Sequence, residues 1–538
     1  MPRTRQRGPN DDCDVIVVGA GHNGLISAAY LARAGLSVVL VEARASVGGT
    51  AASESFAGAT VNICNCDHLT FRTTPVIEEL GLVEHGLRYE NVDPPSHLMA
   101  WSDGVLWTAH HDLEENLESL GQVLPREVDG YREYAKHAMP VVRLIFEAAS
   151  LQPSRVALTR LALRRRLAGM PTLLAWSRRS AADVLRNFFA HDALTGTAAV
   201  LGPMVWGVSP EQSGTGLGAL GHAMRHVARV GRPVGGSGAM PEAVLAAYLA
   251  AGGQLRAGRR VTRIRCTGDD VRGVTLEDGS ELDAPVVVSA CDPHRTFLEW
   301  LADPPAAALP TVERWRHIDV EAGYESKVDA VLRAPPMLKA LGAATGTTIT
   351  VAPSLAEIDR GHREMGAGRV LDRPALLLNV PTVLDPTMAP ADQPDHHVLS
   401  LEVLYTPYRL QGGWPGSPEP RRWLELFASL CEPGVLDSVA AMRAMTPDVY
   451  EREFHLPLGH ATSFSGGPLA VFRSKHPELT SYETAVSGLF LTGAATFPGA
   501  GVWGASGRNC AGVVLDCLRH TSNGMHPKGE RLYGQNPP

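Results

Sequence analysis

The stretch from Asp14 to Glu42 constrains this chain more than any other. Val15-Ile16-Val17-Val18 is a short β-branched run that feeds directly into Gly19-Ala20-Gly21-His22-Asn23-Gly24. Leu25 to Ala34 reads as a helix, Gly35 stops it, and Ser37 to Val41 is a second apolar strand ending in Glu42. Strand, glycine turn, helix, strand and acid in this order predict a βαβ unit carrying a dinucleotide fingerprint. Gly19 allows the tight turn, Gly21 lets the backbone approach a pyrophosphate, and Gly24 lets helix and strand pack closely. The helix N-terminus offers unpaired N–H groups and a partial positive charge to the phosphates. Glu42, 23 residues beyond Gly19, stands where a carboxylate accepts from the adenosine ribose hydroxyls. An ordinary α/β turn rich in glycine would not require that acid.

The next residues discriminate between cofactors. Arg44-Ala45-Ser46-Val47-Gly48-Gly49-Thr50 follows the second strand at once. A paired glycine there resembles the flavoprotein pattern, in which the loop passes over the FAD pyrophosphate and ribityl chain. A plain nicotinamide dehydrogenase has no need of it.

A chain of 538 residues exceeds one ordinary core, so two or more substructures are expected. With 44% hydrophobic and 20% charged residues, it reads as globular and soluble. The net charge of -8 supplies no basic field to hold a phosphate backbone, which argues against a nucleic-acid partner. The eight cysteines form no CxxC pair and suit a reducing compartment. Met1 to Asp12 is polar and basic without an apolar core, so it reads as a short disordered lead rather than a secretory signal. No apolar run approaches the roughly 18 residues of a membrane span. The expected location is cytoplasmic.

Thr60 to Ile63 reads as a strand and Pro75 to Leu80 as a short helix. Between them, Cys64-Asn65-Cys66-Asp67-His68 invites a metal reading, but two thiols one residue apart with a single His make a poor tetrahedral set. No metal is expected. These residues are read as lining or underlying the flavin pocket, with a covalent flavin link through Cys66 or His68 as the alternative.

Helices are expected over Leu113–Leu120, Asp129–Ala149, Ser180–Phe189 and Gly218–Val230. Arg160 to Arg179 mixes six arginines with leucines, Met170 and Trp176. It reads as a solvated Arg-bearing helix beside a cap domain. Residues 158–179 are the lesser candidate for peripheral contact with an anionic membrane, because Gly169 and Pro171 break any continuous amphipathic helix.

Gly235 to Gly238 opens a helix running to Ala251, Gln254 to Ile264 follows as a strand, and Val271–Leu276 with Glu281–Leu282 reads as a hairpin. Val286 to Ala290 is a buried strand returning toward the nucleotide fold. Beyond it, strands are expected at Glu325–Leu332, Ala375–Val380 and His397–Leu404, with a helix over Arg421–Leu430. Gly488 to Ala494 is a strand entering the glycine-dense loop Phe497 to Asn509, and a helix is expected over Asn509–Arg519. Such a loop brings backbone N–H groups close to a ligand and suits a ring edge that becomes anionic on reduction.

Taken together, Gly19-Ala20-Gly21-His22-Asn23-Gly24-Leu25, the Gly48-Gly49 pair, the 235–241 segment, the Val261 strand and the Pro498-to-Arg508 loop resemble the phytoene desaturase family of flavoproteins. The closest resemblance is to its branch of pyridine nucleotide-disulphide oxidoreductase domain-containing proteins, related in fold to the amine oxidases. The resemblance implies an α/β fold: a Rossmann-type FAD-binding domain assembled from discontinuous segments plus an α+β substrate domain. The expected FAD-binding segments are 12–110, 231–299 and 481–525, and the substrate-domain segments 111–230 and 300–480. It implies that Gly19, Gly21, His22, Asn23, Gly24, Glu42 and Ala43 meet the pyrophosphate and adenosine, and that Gly48, Gly49 and Thr50 cover the chain between. Val261 is carried over to the adenine side through its backbone. Gly493, Ala494, Gly501, Val502, Trp503 and Gly504 are carried over to the flavin, non-covalently held. Many relatives have Gly-Asp where this sequence has Gly493-Ala494, so that contact has to come from elsewhere.

The implied activity is FAD-dependent dehydrogenation or saturation of a carbon–carbon bond in a hydrophobic polyene, isoprenoid or lipid-like substrate. His68 and Asp67 are the expected polar groups near the ring, and Trp503 the expected residue on the substrate side. A flavin amine or amino-acid oxidase is the alternative, and a catalytically weak flavoprotein with a scaffold role is a third reading. The intact phosphate loop and Glu42 speak against the last.

Overall fold

The computed structural model describes residues 12–64, 67–201, 207–320, 322–460, 468–473 and 475–522. A five-stranded parallel sheet runs in the order Leu489–Leu491, Val286–Ser289, Val15–Val18, Val38–Val41, Gln254–Arg256. Val15–Val18, Val38–Val41 and Val286–Ser289 are buried along their whole length, as continuous apolar runs must be when both faces of a parallel sheet are covered. The 22–33 helix packs between the Ala239–Ala250 and Ala505–Ser522 helices on one face. The three-stranded antiparallel sheet of Val261–Thr267, Asp270–Leu276 and Glu281–Asp283 lies against the other.

A seven-stranded sheet forms the second layer, in the order 439–445, 323–332, 397–407, 376–379, 349–352, 96–100, 106–109. All its pairings are antiparallel except that of Ile349–Ala352 with Ser96–Ala100. A helical layer from residue 113 to 227 packs on its 96–109 end, where Trp107 Nε1 donates to the Ala193 carbonyl at 3.1 Å.

Several boundaries differ from the sequence expectation. The strand expected from Gln254 to Ile264 divides: Gln254–Arg256 edges the parallel sheet and Val261–Thr267 joins the antiparallel one. The helix expected over Gly218–Val230 is a short 3-10 segment, a helix over Gly221–Val227, and a strand at Gly231–Pro233 that pairs with Tyr89–Asn91. The last helix begins at Ala505, four residues before Asn509. Small residues there lower intrinsic propensity, but they permit the close helix contact that makes the first turn. Residues 155–164 and 170–176 form two helices separated at Gly169, whose φ is +80°.

Candidate functional site

The parallel sheet ends in a compact loop assembly. Gly19 takes φ +96° and donates its N–H to the Val41 carbonyl at 2.8 Å. The Gly48 N–H donates to the Ala20 carbonyl at 2.8 Å, which lays the 48–50 loop over Gly21. A Cβ on Gly24 would sit 2.0 Å from the Gly19 carbonyl oxygen, so only glycine lets the helix start this close to the strand. A Cβ on Gly21 would meet nothing within 4 Å. The 22–33 helix has no side-chain cap and no acid in its first turn. Glu42 stands at this mouth, accepting the Ala20 N–H at 2.6 Å and the Arg44 N–H at 2.8 Å. Uncapped donors, an open path beside Gly21 and a fixed carboxylate at the second strand fit a dinucleotide. Ala43 and Thr50 are part-exposed beside it. Val261 lies nearby in sequence and space, because Arg259 N–H donates to the Glu42 carbonyl at 2.8 Å.

The C-terminal loop closes on the same helix. Gly493 takes φ +119°, and its N–H donates to Ser506 Oγ at 3.1 Å; Ala494 follows, part-exposed. Asn23 Oδ1 accepts the Gly507 N–H at 3.3 Å, and Asn23 Nδ2 lies 3.1 Å from His22 Nε2. Burial pushes the His22 imidazole down to about 4, against a hydrogen bond with the Gly501 backbone. Thr70 Oγ1 donates to the Val502 carbonyl at 2.6 Å. Gly504 is packed so that a Cβ would come within 2.8 Å of Ile26 Cδ1 and of the Phe71 ring. Trp503 donates to the Ala500 carbonyl at 3.1 Å and meets Phe146 edge-on, with centroids 5.5 Å apart.

Asp67 and His68 lie at the junction of the two layers, each fully engaged. His68 Nδ1 is 2.8 Å from the Tyr89 hydroxyl and Nε2 is 2.8 Å from Ser237 Oγ. Burial pushes this imidazole down to about 3, so it is neutral. Both ring nitrogens are occupied, which leaves none for a covalent flavin link unless a hydrogen bond is given up. Cys66 lies outside the described residues. Asp67 pairs with Arg232 at 2.6 Å and accepts from Thr348 Oγ1 at 2.7 Å. Burial raises its carboxyl, but the guanidinium and hydroxyl outweigh burial and hold it below the usual range. Arg232 also donates to the Gly346 carbonyl and Thr348. Asp67 is thereby an anchor between the 67–68 segment and the seven-stranded sheet.

The sequence reading missed a charged cluster on that sheet. Lys327 is completely buried, donates to the Asn62 carbonyl at 2.6 Å and is ion-paired with Asp329. Asp329 also pairs with Arg443, which reaches Glu54, and Glu54 holds Arg44 of the glycine-pair loop. Glu402 stands directly opposite Lys327 in the strand register, and Glu325 lies two residues earlier on the same face. Among the described residues no group of three or more His, Cys, Asp or Glu could hold a metal, and no helix is long and apolar enough to cross a membrane.

This fold and loop assembly define a dinucleotide-binding flavoprotein of the two-layer type. The sequence profile described as flavin containing amine oxidoreductase matches residues 24–320, more than half of the chain. The chain belongs to that family and is an FAD-dependent oxidoreductase of the amine oxidase and phytoene desaturase superfamily. It is 29% identical over 560 residues to mouse (Mus musculus) pyridine nucleotide-disulfide oxidoreductase domain-containing protein 2, covering 94% of each chain. It is 26% identical over 530 residues to the lycopene-forming phytoene desaturase of Pantoea ananas, covering 93% of this chain and 99% of the relative. A putrescine oxidase variant superposes with a TM-score of 0.61 at 17% identity, covering 95% of this chain and 98% of that one, a likeness of fold.

Proposed function

We propose that the protein dehydrogenates or saturates a carbon–carbon bond of a hydrophobic polyene, isoprenoid or lipid-like molecule. One observation carries this reading. The 128–149 helix presents Leu144 and Ala148 to an apolar cleft of about 190 Å³ lined also by Leu158, Leu161, Met170 and Leu173, while Phe146, on the other side of the same helix, meets Trp503 edge-on. The cleft offers an apolar molecule a hydrocarbon lining, while the polar groups at His68 and Asp67 are already satisfied by protein. The similarity to a phytoene desaturase supports the same substrate class.

Bound FAD supplies the two-electron chemistry, accepting or donating a hydride. In this reading the chain's own residues bind, orient and exclude water. Gly19, Gly21, His22, Asn23, Gly24, Glu42 and Ala43 hold the pyrophosphate and adenosine, and Gly48, Gly49 and Thr50 cover the chain between. Val261 flanks the adenine. Gly493, Ala494, Gly501, Val502 and Gly504 line the isoalloxazine, with Trp503 on the substrate side. The FAD-binding unit comprises 12–110, 231–299 and 481–525, with residues 96–109 lending two strands to the substrate-side sheet; 111–230 and 300–480 form the substrate unit.

Exposed Leu163, Leu167 and Leu174, at 63%, 50% and 37%, stand among the arginines of 158–179. They favour a peripheral membrane contact on the cytoplasmic side, beside the apolar cleft. Anaerobic mixing of the oxidised holoprotein with polyenes, isoprenoids and amines tests the reading: bleaching of the flavin by the apolar compounds is expected. Bleaching by amines alone makes the protein an amine oxidase. Acid precipitation should leave FAD in the supernatant; flavin in the pellet would establish a covalent link.

A further inference from the structure

We infer that the cavity between the 128–149 helix and the 71–73 turn is an oxyanion-binding subsite, which takes the carboxylate or phosphate end of the apolar substrate. The inference rests on the proposed carbon–carbon reaction and narrows its substrate class to lipid-like acids or phosphate esters.

The cavity has a volume of about 400 Å³, within the range of small-molecule sites. Four arginines line it, Arg72, Arg143, Arg165 and Arg229, against the single acid Glu147. They come from four separate segments: the 71–73 turn, the 128–149 helix, the C-terminal cap of the 155–164 helix and the residues after the 221–227 helix. The fold gathers them, not a run of basic sequence. Glu147 lies one turn from Arg143, but its carboxylate is taken by Arg164, at 2.9 Å, and by Arg165. Among the described residues neither the Arg143 nor the Arg229 guanidinium has an acid partner, and Arg165 Nε is buried without an acceptor. Like charges gathered in this way repel. A bound oxyanion neutralises them and accepts from several guanidinium N–H groups at once.

Arg72 is held in place by neutral groups alone. Its Nη2 donates to Asn91 Oδ1 at 2.9 Å and its Nη1 to the Arg229 carbonyl at 3.3 Å. The guanidinium also lies over the Tyr89 ring, 5.2 Å from the centroid. A Cβ on Gly231 would stand 2.3 Å from Arg72 Nη1, so the neighbouring strand leaves out a side chain where the guanidinium sits. An amide, a carbonyl and a ring fix the group and leave its charge uncompensated. Burial lowers the Arg72 guanidinium and the Arg229 charge adds to this, as two cations facing one space without a counterion require.

The wall of this cavity also supports the glycine-dense loop. Phe146 lines it and meets Trp503 edge-on, with centroids 5.5 Å apart. Arg72 and Thr73, in the same wall, follow Phe71, whose ring a Cβ on Gly504 would meet at 2.8 Å. They also follow Thr70, which donates to the Val502 carbonyl at 2.6 Å. The apolar cleft lies across the 128–149 helix, so neighbouring faces of one element offer hydrocarbon and cationic surface. A neutral polyene has no group to offer four guanidiniums; an acid or phosphate ester has one. Its head, fixed beside the Phe146–Trp503 contact, would set which carbon–carbon bond along the chain the flavin meets.

Isothermal titration calorimetry on the FAD-loaded protein tests this without turnover. The probes are oleate against oleyl alcohol and farnesyl diphosphate against farnesol, each below its micelle concentration. At least one anion should bind about tenfold or more tightly than its alcohol, and added salt should shrink that advantage. R143Q and R229Q change guanidiniums that hold no acid, so the fold should tolerate both. Each should lose about tenfold in affinity for the anion, with affinity for the alcohol unchanged. E147Q removes the competing carboxylate and should tighten anion binding. Equal affinity for anion and alcohol in wild type, unchanged anion affinity in both arginine variants, or weaker anion binding in E147Q overturns the inference. Inorganic phosphate bound as tightly as the long-chain anions would show a free-anion site instead. A loss in the variants confined to phosphatidylglycerol vesicles would show a membrane patch; either result overturns it too. If the anions bind as expected and no apolar compound bleaches the flavin, the subsite stands and the carbon–carbon reading fails.

Discussion

Gly507 and Asn23 join the first and last helices of the nucleotide-binding layer across 484 positions of sequence. The Gly507 N–H donates to Asn23 Oδ1 at 3.3 Å, and a Cβ on Gly507 would stand 2.2 Å from the Asn23 carbonyl oxygen. The contact is backbone against backbone, so no side chain can swing away. Gly507→Ala should therefore separate the two helix starts and cost about 1–3 kcal/mol of stability. A lower Tm with a matching loss of flavin per protein, read from absorbance, is the expected result. Unchanged values for both would mean the helices are not this close.

Gly21 offers the opposite case. A Cβ there meets no protein atom within 4 Å, so Gly21→Val should leave the flavin-free protein folded while blocking the pyrophosphate path. Circular dichroism near wild type with abolished FAD binding is expected. Gly24→Ala, by contrast, should damage the fold itself, since its Cβ falls 2.0 Å from the Gly19 carbonyl oxygen. Glu42→Ala removes a charge-assisted acceptor worth about 1.5–3 kcal/mol, so FAD affinity should fall roughly ten- to a hundredfold by fluorescence titration.

Gly504 and Trp503 are adjacent but should respond differently. Gly504 combines φ +72° with contacts at 2.8 Å to Ile26 and Phe71, so Gly504→Val should displace the loop, shift the flavin absorbance and lower its reduction potential. Removing loop N–H donors from the reduced ring weakens the anionic form. Trp503→Ala empties the space against Phe146, and turnover should change with the spectrum nearly intact. Wild-type spectrum, potential and turnover in both would place the flavin elsewhere.

Acid sensitivity should come from buried neutral histidines. Burial lowers His68 and His222 to about 3 each. The unfolded chain takes up these protons below about 6.5 while the folded one refuses them. Each therefore removes about 1.4 kcal/mol per pH unit as pH falls from about 6.5 toward about 3. His222→Gln, which keeps a donor for the Leu194 carbonyl, should lose about 2 kcal/mol less than wild type between pH 6.5 and 5 in urea titrations. Parallel pH profiles would show that His222 titrates normally.

The turn at Gly19, the close packing at Gly24 and the position of Glu42 were legible because they lie in the local backbone geometry of one βαβ unit. The cluster of Glu325, Lys327 and Asp329 was not. Alternation of charged residues with Ser326 and Val328 reads as a strand with one wet face. Here that face is the interior, where Lys327 and Asp329 are 0% exposed, and only pairing with Glu402 from another strand reveals it. The place of the 96–100 strand in that sheet is hidden for a similar reason: it pairs locally with 106–109, but its other partner lies some 250 residues on, at 349–352. The early start of the last helix depends on Gly507 meeting Asn23, a contact no local propensity encodes.

The strand order of the parallel sheet also bears on biosynthesis. Its central strand is made within the first twenty residues, yet its neighbours are residues 286–289 and 38–41, and its outermost strand is 489–491. On the ribosome, Val15–Val18 must wait for residues 286–289 before its second flank is covered, and that strand in turn waits for 489–491. Contacts of such long sequence separation form slowly and leave apolar surface exposed meanwhile. A nascent chain stalled before residue 489 should thus be a client for chaperones and unable to capture FAD, so cofactor loading becomes a checkpoint that only chains extended past this strand can pass.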